Sequence, residues 1–201
     1  MKPSLEEQIT QLQTENQRLR DELFFLRSFP TLIQGLRGEA LVRQITGGEA
    51  GTYQSKYDVR LPNGLDIEVK FSKLNEVGPG ITTRRWNWSN PLGLSKGRQK
   101  QYSHLILVGE KDARFRDRIE DGSPYVFFLI PFSAVPEICR GTAINLSSNF
   151  DGVRSIESRR LLDFLCDVGR IRDLLALGTP VATQPFFQAA RSIIARSVSA
   201  P

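Results

Sequence analysis

The sequence predicts an α/β protein with a long N-terminal helix, on three observations. Residues 5–26 repeat apolar side chains in a 4-3 alternation. Residues 58–71 form a turn-punctuated hairpin pattern, and the apolar runs 104–109 and 125–130 have the length of buried strands. Helical patterns at 31–46 and over 153–201 flank these strands.

The first helix has the pattern of a zipper. Leu5, Leu12, Leu19 and Leu26 take the d positions of a heptad, and Ile9, Asn16 and Leu23 take the a positions. A single buried Asn at a, between Leu layers at d, specifies a parallel two-stranded register because its amide is best satisfied by the same Asn of a partner. Glu15 and Glu22 fall at g, and Arg20 and Arg27 at e, so each acid faces a cation of a parallel partner. The expected homodimer runs through residues 5–26. The competing reading is an amphipathic helix folded back on its own domain, since three heptads are near the lower limit for an isolated zipper. With no Lys/Arg-rich helix ahead of the repeat, a zipper-type reader of the major groove is not the expected role. Domain boundaries follow: 1–28 for dimerisation and 29–201 for the main domain, with a core over 30–132 and C-terminal helices over 153–201.

Composition narrows the chemistry. The 201 residues contain one His and two Cys, too few for zinc fingers, zinc hydrolase sites or His-based metal nucleases. Carboxylates, lysines and an oxygen-ligated metal remain. Cys139 and Cys166 form no CxxC and are expected as reduced thiols. The polar N-terminus and the shortness of the longest apolar stretch (125–132) predict a cytoplasmic protein with no membrane partner. Net charge is +5, but residues 70–118 alone hold 11 basic and 4 acidic side chains, a pattern that suits a polyanion.

After Ser28-Phe29-Pro30, residues 31–46 place Leu32, Leu36 and Val42 on one helical stripe, with Glu39 intruding on it. Gly47-Gly48 ends this helix. Leu61-Pro62-Asn63-Gly64 then has the chemistry of a type I turn closed by a left-handed Gly, which pairs Leu61 with Leu65, Arg60 with Asp66, Val59 with Ile67 and Asp58 with Glu68. Opposed residues share a face. Asp58, Glu68 and Lys70 therefore share one face, opposite an apolar face of Val59, Leu61, Ile67, Val69 and Phe71. Two opposed carboxylates repel, and a hard divalent cation between them relieves this. An ordinary solvated face of alternating charges is the plain alternative.

The succession of helix Glu39, Asp58 on the first strand, Glu68-Val69-Lys70 on the second, a basic segment and a further buried strand resembles the PD-(D/E)xK nuclease superfamily, in particular its type II restriction-endonuclease-like members. The likeness covers roughly residues 30–132. Tyr57 stands where the motif's name has proline. The resemblance implies a restriction-endonuclease-like mixed β-sheet flanked by helices. It also implies Mg²⁺ held by Asp58, Glu68 and the carbonyl of Val69, with Lys70 orienting or deprotonating the attacking water. Glu39 would be either an anchor for Lys70 or a ligand of a second metal.

Arg84 and Arg85 are expected to bind DNA phosphates, and Lys96, Arg98, Gln99 and Lys100 in the following basic turn to contact phosphates or base edges, with a solvated basic turn as the plain alternative. Trp86 and Trp88 have two readings, stacking on bases or lining the core. His104, at the start of a strand, is read as a structural hydrogen-bonder, and Arg114, Arg116 and Arg118 as part of a surface loop. Residues 158–178 read as one helix and 185–198 as a shorter one, packing on the sheet, supporting the dimer or touching DNA.

Together these readings predict a dimeric Mg²⁺-dependent endodeoxyribonuclease acting on double-stranded DNA, of type II restriction character. A cognate DNA methyltransferase is the partner a restriction role implies. The alternatives are a repair or recombination nuclease of the same fold and a non-catalytic dimeric DNA-binding protein. In sedimentation experiments the full chain should run as a dimer and a chain lacking residues 1–28 as a monomer; a dimer in both would remove the zipper.

Overall fold

The structure, a computed structural model, describes residues 4–52, 54–76, 78–80, 83–93, 100–111, 123–139 and 141–176. Lys96, Arg98 and Gln99, the arginines of 114–118 and the helix expected over 185–198 lie outside them. The chain divides into two compact units, residues 1–37 and 38–201. The sequence-based boundary at residue 28 marks a break between two helices, whereas the units divide inside the second helix.

The first unit contains α1 (Leu5–Ser28) and the start of α2 (Pro30–Thr46). Ser4 opens α1 through a reciprocal cap. Its hydroxyl accepts the Glu7 N–H at 3.2 Å, and the Glu7 carboxylate accepts the Ser4 N–H at 2.6 Å. Pro30 restarts the chain as the first residue of α2, where a missing N–H costs no helical bond. The a and d side chains Leu5, Ile9, Leu12, Leu19 and Leu23 are between 46% and 73% exposed.

The second unit is mixed α/β. Its strands are β1 (Glu49–Ala50), β2 (Val59–Arg60), β3 (Asp66–Ser72), β4 (Arg85–Ser89), β5 (His104–Glu110), β6 (Tyr125–Pro131), β7 (Ala143–Ser147) and β8 (Leu165–Cys166). Short helices α3 (Val135–Ile138), α4 (Ile156–Leu162) and α5 (Val168–Arg172) fill the C-terminal part. Six strands form one sheet in the order β1-β2-β3-β5-β6-β8, and β4 and β7 pair in a second. Only β3 and β5 run parallel among the described pairs. The connection between them is far too long for a hairpin turn, so the chain crosses over and returns in the same direction.

Alternation along β3 and β5 divides the core in two. Ile67, Val69, Ile106 and Val108 join Val42 of α2 and Ile171 of α5 on one face. Leu105 and Leu107 on the other face pack with Trp86, Trp88, Phe128, Ile144 and Leu146. Both tryptophans are therefore core residues, which decides between their two readings. Their indole N–H groups donate to the carbonyls of Glu110 and Val108, each at 3.0 Å, so the small sheet is bonded to the large one as well as packed on it.

Two expectations are corrected. Leu32 and Leu36 do not share a buried stripe with Val42; they are 44% and 45% exposed, whereas Val42 is fully buried. The inward stripe begins at Gly38, where a Cβ would lie 2.8 Å from that of Phe71, so the bare backbone allows α2 to press onto β3. The single helix expected over 158–178 is broken. After α4, Leu165 and Cys166 pair with Phe128 and Phe127 on the edge of β6, and Asp167 then caps α5 by accepting the Arg170 N–H at 2.8 Å. An available sheet edge outweighs helical periodicity here, and the break is bounded by Asp163 and Asp167, residues that favour helix ends. Among the described residues no helix is long and apolar enough to cross a membrane.

Gly109 faces the Trp86 indole, with a Cβ position only 2.7 Å from the ring. Gly109→Ala should lower stability in urea denaturation by about 1–3 kcal/mol through overpacking, and an unchanged midpoint would contradict this close fit.

Candidate active site

The hairpin that carries the site is set by its turn. Gly64 has φ +85°, a conformation that favours glycine, and its N–H donates to the Leu61 carbonyl at 2.9 Å. The Leu61 N–H donates to Leu65 at 2.8 Å, and the register continues as expected with Arg60 opposite Asp66 and Val59 opposite Ile67. Arg60 binds Asp66 through two bonds of 2.7 and 3.0 Å. Here the ladder stops. Asp58 is not paired with Glu68 as the sequence suggests; its N–H donates to the carbonyl of Ile67 at 2.9 Å, so two consecutive residues face one. Its carboxylate Oδ2 then accepts the Val69 N–H at 2.8 Å, where the next backbone carbonyl of a regular ladder would have been.

This bulge brings the carboxylate of Asp58 to that of Glu68 by another route. Glu68 is completely buried, on the same face of β3 as Lys70 and on the side of the tryptophan cluster. Its Oε1 lies 2.6 Å from the Lys70 Nζ and 2.5 Å from that of Lys100. The Lys100 ammonium also reaches Asp58 Oδ1 at 3.3 Å and so bridges the two acids. Glu39 is half-buried on α2, close enough that the charges of Asp58, Lys100 and Lys70 all act on its carboxyl. The structure thus brings together Asp58, Glu68 and Lys70, with Glu39 within electrostatic range, and adds Lys100, read from sequence as a DNA contact.

Lys100 is placed by its neighbours. Its own N–H donates to the Leu92 carbonyl at 3.3 Å, and that of Gln101 to Lys56 at 3.2 Å. The Tyr102 hydroxyl donates to the Pro91 carbonyl at 2.9 Å, and the Ser103 N–H to Asp66 at 2.7 Å. The signal in the sequence is topological. Once β5 is recognised as the parallel neighbour of β3, the residues just before it must start beside the first residues of β3, a long side chain's reach from Glu68.

The charges explain the protonation of the group. Burial, then the nearby Asp58, pushes the Glu68 carboxyl up to about 7, while the two lysines oppose the rise. Burial and Asp58 also raise Glu39. Burial alone would lower Lys100, but Glu68 and Asp58 outweigh it and hold the ammonium charged. His104 lies opposite Ile67 and so faces away from Glu68. Burial lowers its pKa, and its Nδ1 has no hydrogen-bond partner among the described residues, so the expected structural bond is not seen on that nitrogen.

The donor set fits a hard divalent cation with few protein ligands. Glu68 Oε2 is buried and has no hydrogen-bond partner among the described residues. Such an oxygen is costly unless something positive reaches it. Val69 gives its N–H to Asp58, and a strand residue's carbonyl leaves on the same edge as its N–H, so this oxygen lies on the edge of β3 that faces Asp58. No group of three or more His, Cys, Asp and Glu side chains capable of holding a metal occurs among the described residues. Mg²⁺ characteristically takes one or two carboxylates and completes its shell with water and phosphate oxygens, and Asp58 with Glu68 could supply those two.

Of the expected nucleic-acid contacts, Arg85 is exposed at the start of β4, and the neighbouring Arg84 lies 4.0 Å from Glu76. Lys96, Arg98 and Gln99 are outside the described residues. No protein-family model matches the chain, and no curated protein matches it.

Because Glu68 takes a proton more readily in the folded chain than its ordinary value of 4.5 allows in the unfolded one, the folded state gains stability at low pH and loses it as pH rises through about 7. In EDTA, stability should fall by about 2–3 kcal/mol between pH 4.5 and 7.5 in urea titrations, and Glu68→Gln should flatten this slope. A slope unchanged by the substitution would reassign the proton.

Proposed function

We propose that this chain is a Mg²⁺-dependent endodeoxyribonuclease of the PD-(D/E)xK type, with a restriction-endonuclease-like core and type II restriction character. The observation that carries the reading is the meeting of Asp58, Glu68 and Lys70 on one side of β3, with Glu68 wholly buried and one of its oxygens unpartnered among the described residues. A solvated face of alternating charges would leave Glu68 in water. Its burial calls for a role that needs a fixed carboxylate.

In this reading Asp58, Glu68 and the Val69 carbonyl hold the ion, which when bound supplies Lewis-acid polarisation and a more acidic water. Asp58 is fixed for that task by the Val69 N–H on its second oxygen. Lys70, anchored by Glu68, orients the water whose oxygen forms the new bond to phosphorus while the bond to the leaving strand breaks. Its ammonium offsets the charge that gathers on the phosphoryl oxygens. Glu39 adds a third negative carboxylate on the α2 side and steadies the two ammonium groups. Arg84 and Arg85 belong to the 70–118 segment, whose excess of cations suits the phosphates of double-stranded DNA.

The homodimer belongs to the same proposal. The exposed a/d stripe of α1, with Asn16 within it and Glu and Arg at flanking positions, matches the same stripe of a second, parallel copy. A two-fold dimer presents two sites, as cleavage of both strands at a symmetric sequence requires.

Plasmid and genomic DNA incubated with the protein and Mg²⁺ should give discrete fragments. Asp58→Ala, Glu68→Ala and Lys70→Ala should each reduce cleavage by about 100-fold or more, with DNA binding retained by Lys70→Ala. Cleavage that survives these substitutions would remove the assigned site. Nicked or branched substrates cut in preference to intact duplex would favour the repair or recombination nuclease, and salt-sensitive binding with no cleavage in Mg²⁺ or Mn²⁺ would favour the DNA-binding dimer.

A further inference from the structure

We propose that Lys100 is the resident counter-ion of the Asp58–Glu68 pair, and that a divalent cation must displace its ammonium to enter the site. This rests on the reading that the pair binds such an ion. The placement is direct: one Nζ lies 3.3 Å from Asp58 Oδ1 and 2.5 Å from Glu68 Oε1, on an oxygen from each of the two carboxylates that would ligate the metal. Mg²⁺ takes its oxygens at about 2.0–2.1 Å, so ion and ammonium cannot share the gap.

The charge arrangement supports the same conclusion. Without metal, the two ammonium groups of Lys70 and Lys100 offset the charges of Asp58 and Glu68, and Glu39 adds a further carboxyl within range of both lysines. The balance is lopsided in space. Both ammonium groups crowd Glu68 Oε1, and Oε2 has no partner among the described residues. Lys70 is a poor candidate for leaving, since it stands on the central strand β3 beside its acid. Lys100 lies in the segment before β5, with its backbone held by the Leu92 carbonyl and its side chain 24% exposed. Four methylenes let the ammonium swing toward solvent while the backbone stays in place. The consequence is a set threshold for metal loading: without metal the carboxylates are held together against their repulsion, and affinity for the ion is lower than the bare ligands would give.

The test is calorimetric titration of Mn²⁺, and of Mg²⁺ in competition, into the full-length metal-free protein. Lys100→Met, similar in length but uncharged, should bind about tenfold more tightly than wild type, since a charge-assisted contact no longer has to be broken. Lys100→Arg, which restores a cation, should return toward wild-type affinity. Lys56→Met, which removes a nearby cation that bonds Gln101 rather than the acids, should change affinity by less than about twofold, separating occupancy of the gap from a general field. In EDTA the Lys100→Met protein should melt several degrees below wild type, and saturating Mn²⁺ should close that difference. If Lys100→Met does not fold without metal, Lys100→Gln takes its place in both measurements. Equal or weaker Mn²⁺ binding by the uncharged variants overturns the proposal and leaves the nuclease reading standing, whereas absence of Mn²⁺ and Mg²⁺ binding by wild type and variants alike overturns both. Tighter binding without any DNA cleavage would sustain Lys100 as counter-ion and remove only the nuclease.

Discussion

A carboxylate with no exposure to water, Glu68, is the constraint on which the arrangement around it depends. An ionised acid withdrawn from solvent needs opposite charge within contact distance or it takes up a proton. Lys70 comes from the same strand, two residues on, which β-strand alternation makes automatic. Lys100 comes from the far end of a crossover. Asp58 adds a second negative charge that makes the need more acute, so the two ammonium groups are required by the site even before any ligand arrives. The high pKa of Glu68, the short lysine contacts and the unpartnered oxygen all express this tension between burial and charge.

The surrounding layers keep the acid buried. Trp86 and Trp88 from the small sheet cover the same face of the large sheet that Glu68 occupies, and their indole bonds to Glu110 and Val108 fix that cover in register. On the opposite face, the bare backbone at Gly38 sets α2 against Val69 and Phe71, and Glu39 follows as the next residue. The polar cluster is therefore mounted on β3 between two close-packed apolar clusters, and such packing resists rearrangement. Within it, Glu68 and Lys70 stand on the central strand β3, whereas Lys100 reaches them from the segment before β5.

Much of this was legible in the sequence where local chemistry decides. Pro62-Asn63-Gly64 specifies a turn, the turn specifies the register, and the register places Asp58, Glu68 and Lys70 near one another. The apolar runs at 104–109 and 125–130 and the helices on either side of Phe29 emerge for the same reason. The mixed α/β class followed from these elements; their sheet order did not, because parallel pairing of β3 with β5 is decided by tertiary contacts. Lys100 reads in sequence as one more cation of the basic turn for the same reason, since its proximity to Lys96 and Arg98 is visible along the chain and its spatial proximity to Glu68 is not. Leu165-Cys166 looked helical because its apolar spacing is, and only the edge of β6 makes it a strand. The bulge at Asp58 was also hidden, as ladder counting assumes one residue opposite one.

That bulge makes the length of the hairpin a coordinate of the site. Asp58 reaches Glu68 because the ladder runs without interruption from the Pro62-Asn63-Gly64 turn to Val59 and then gains one residue. A single-residue insertion or deletion in the turn would slide the first strand by one place, bringing Tyr57 or Val59 to the position that the acid now holds, while the apolar side chains on the second strand stayed where they are. Natural variation among proteins sharing this site should therefore spare the loop's length more strictly than its composition. Surface loops ordinarily show the opposite tolerance.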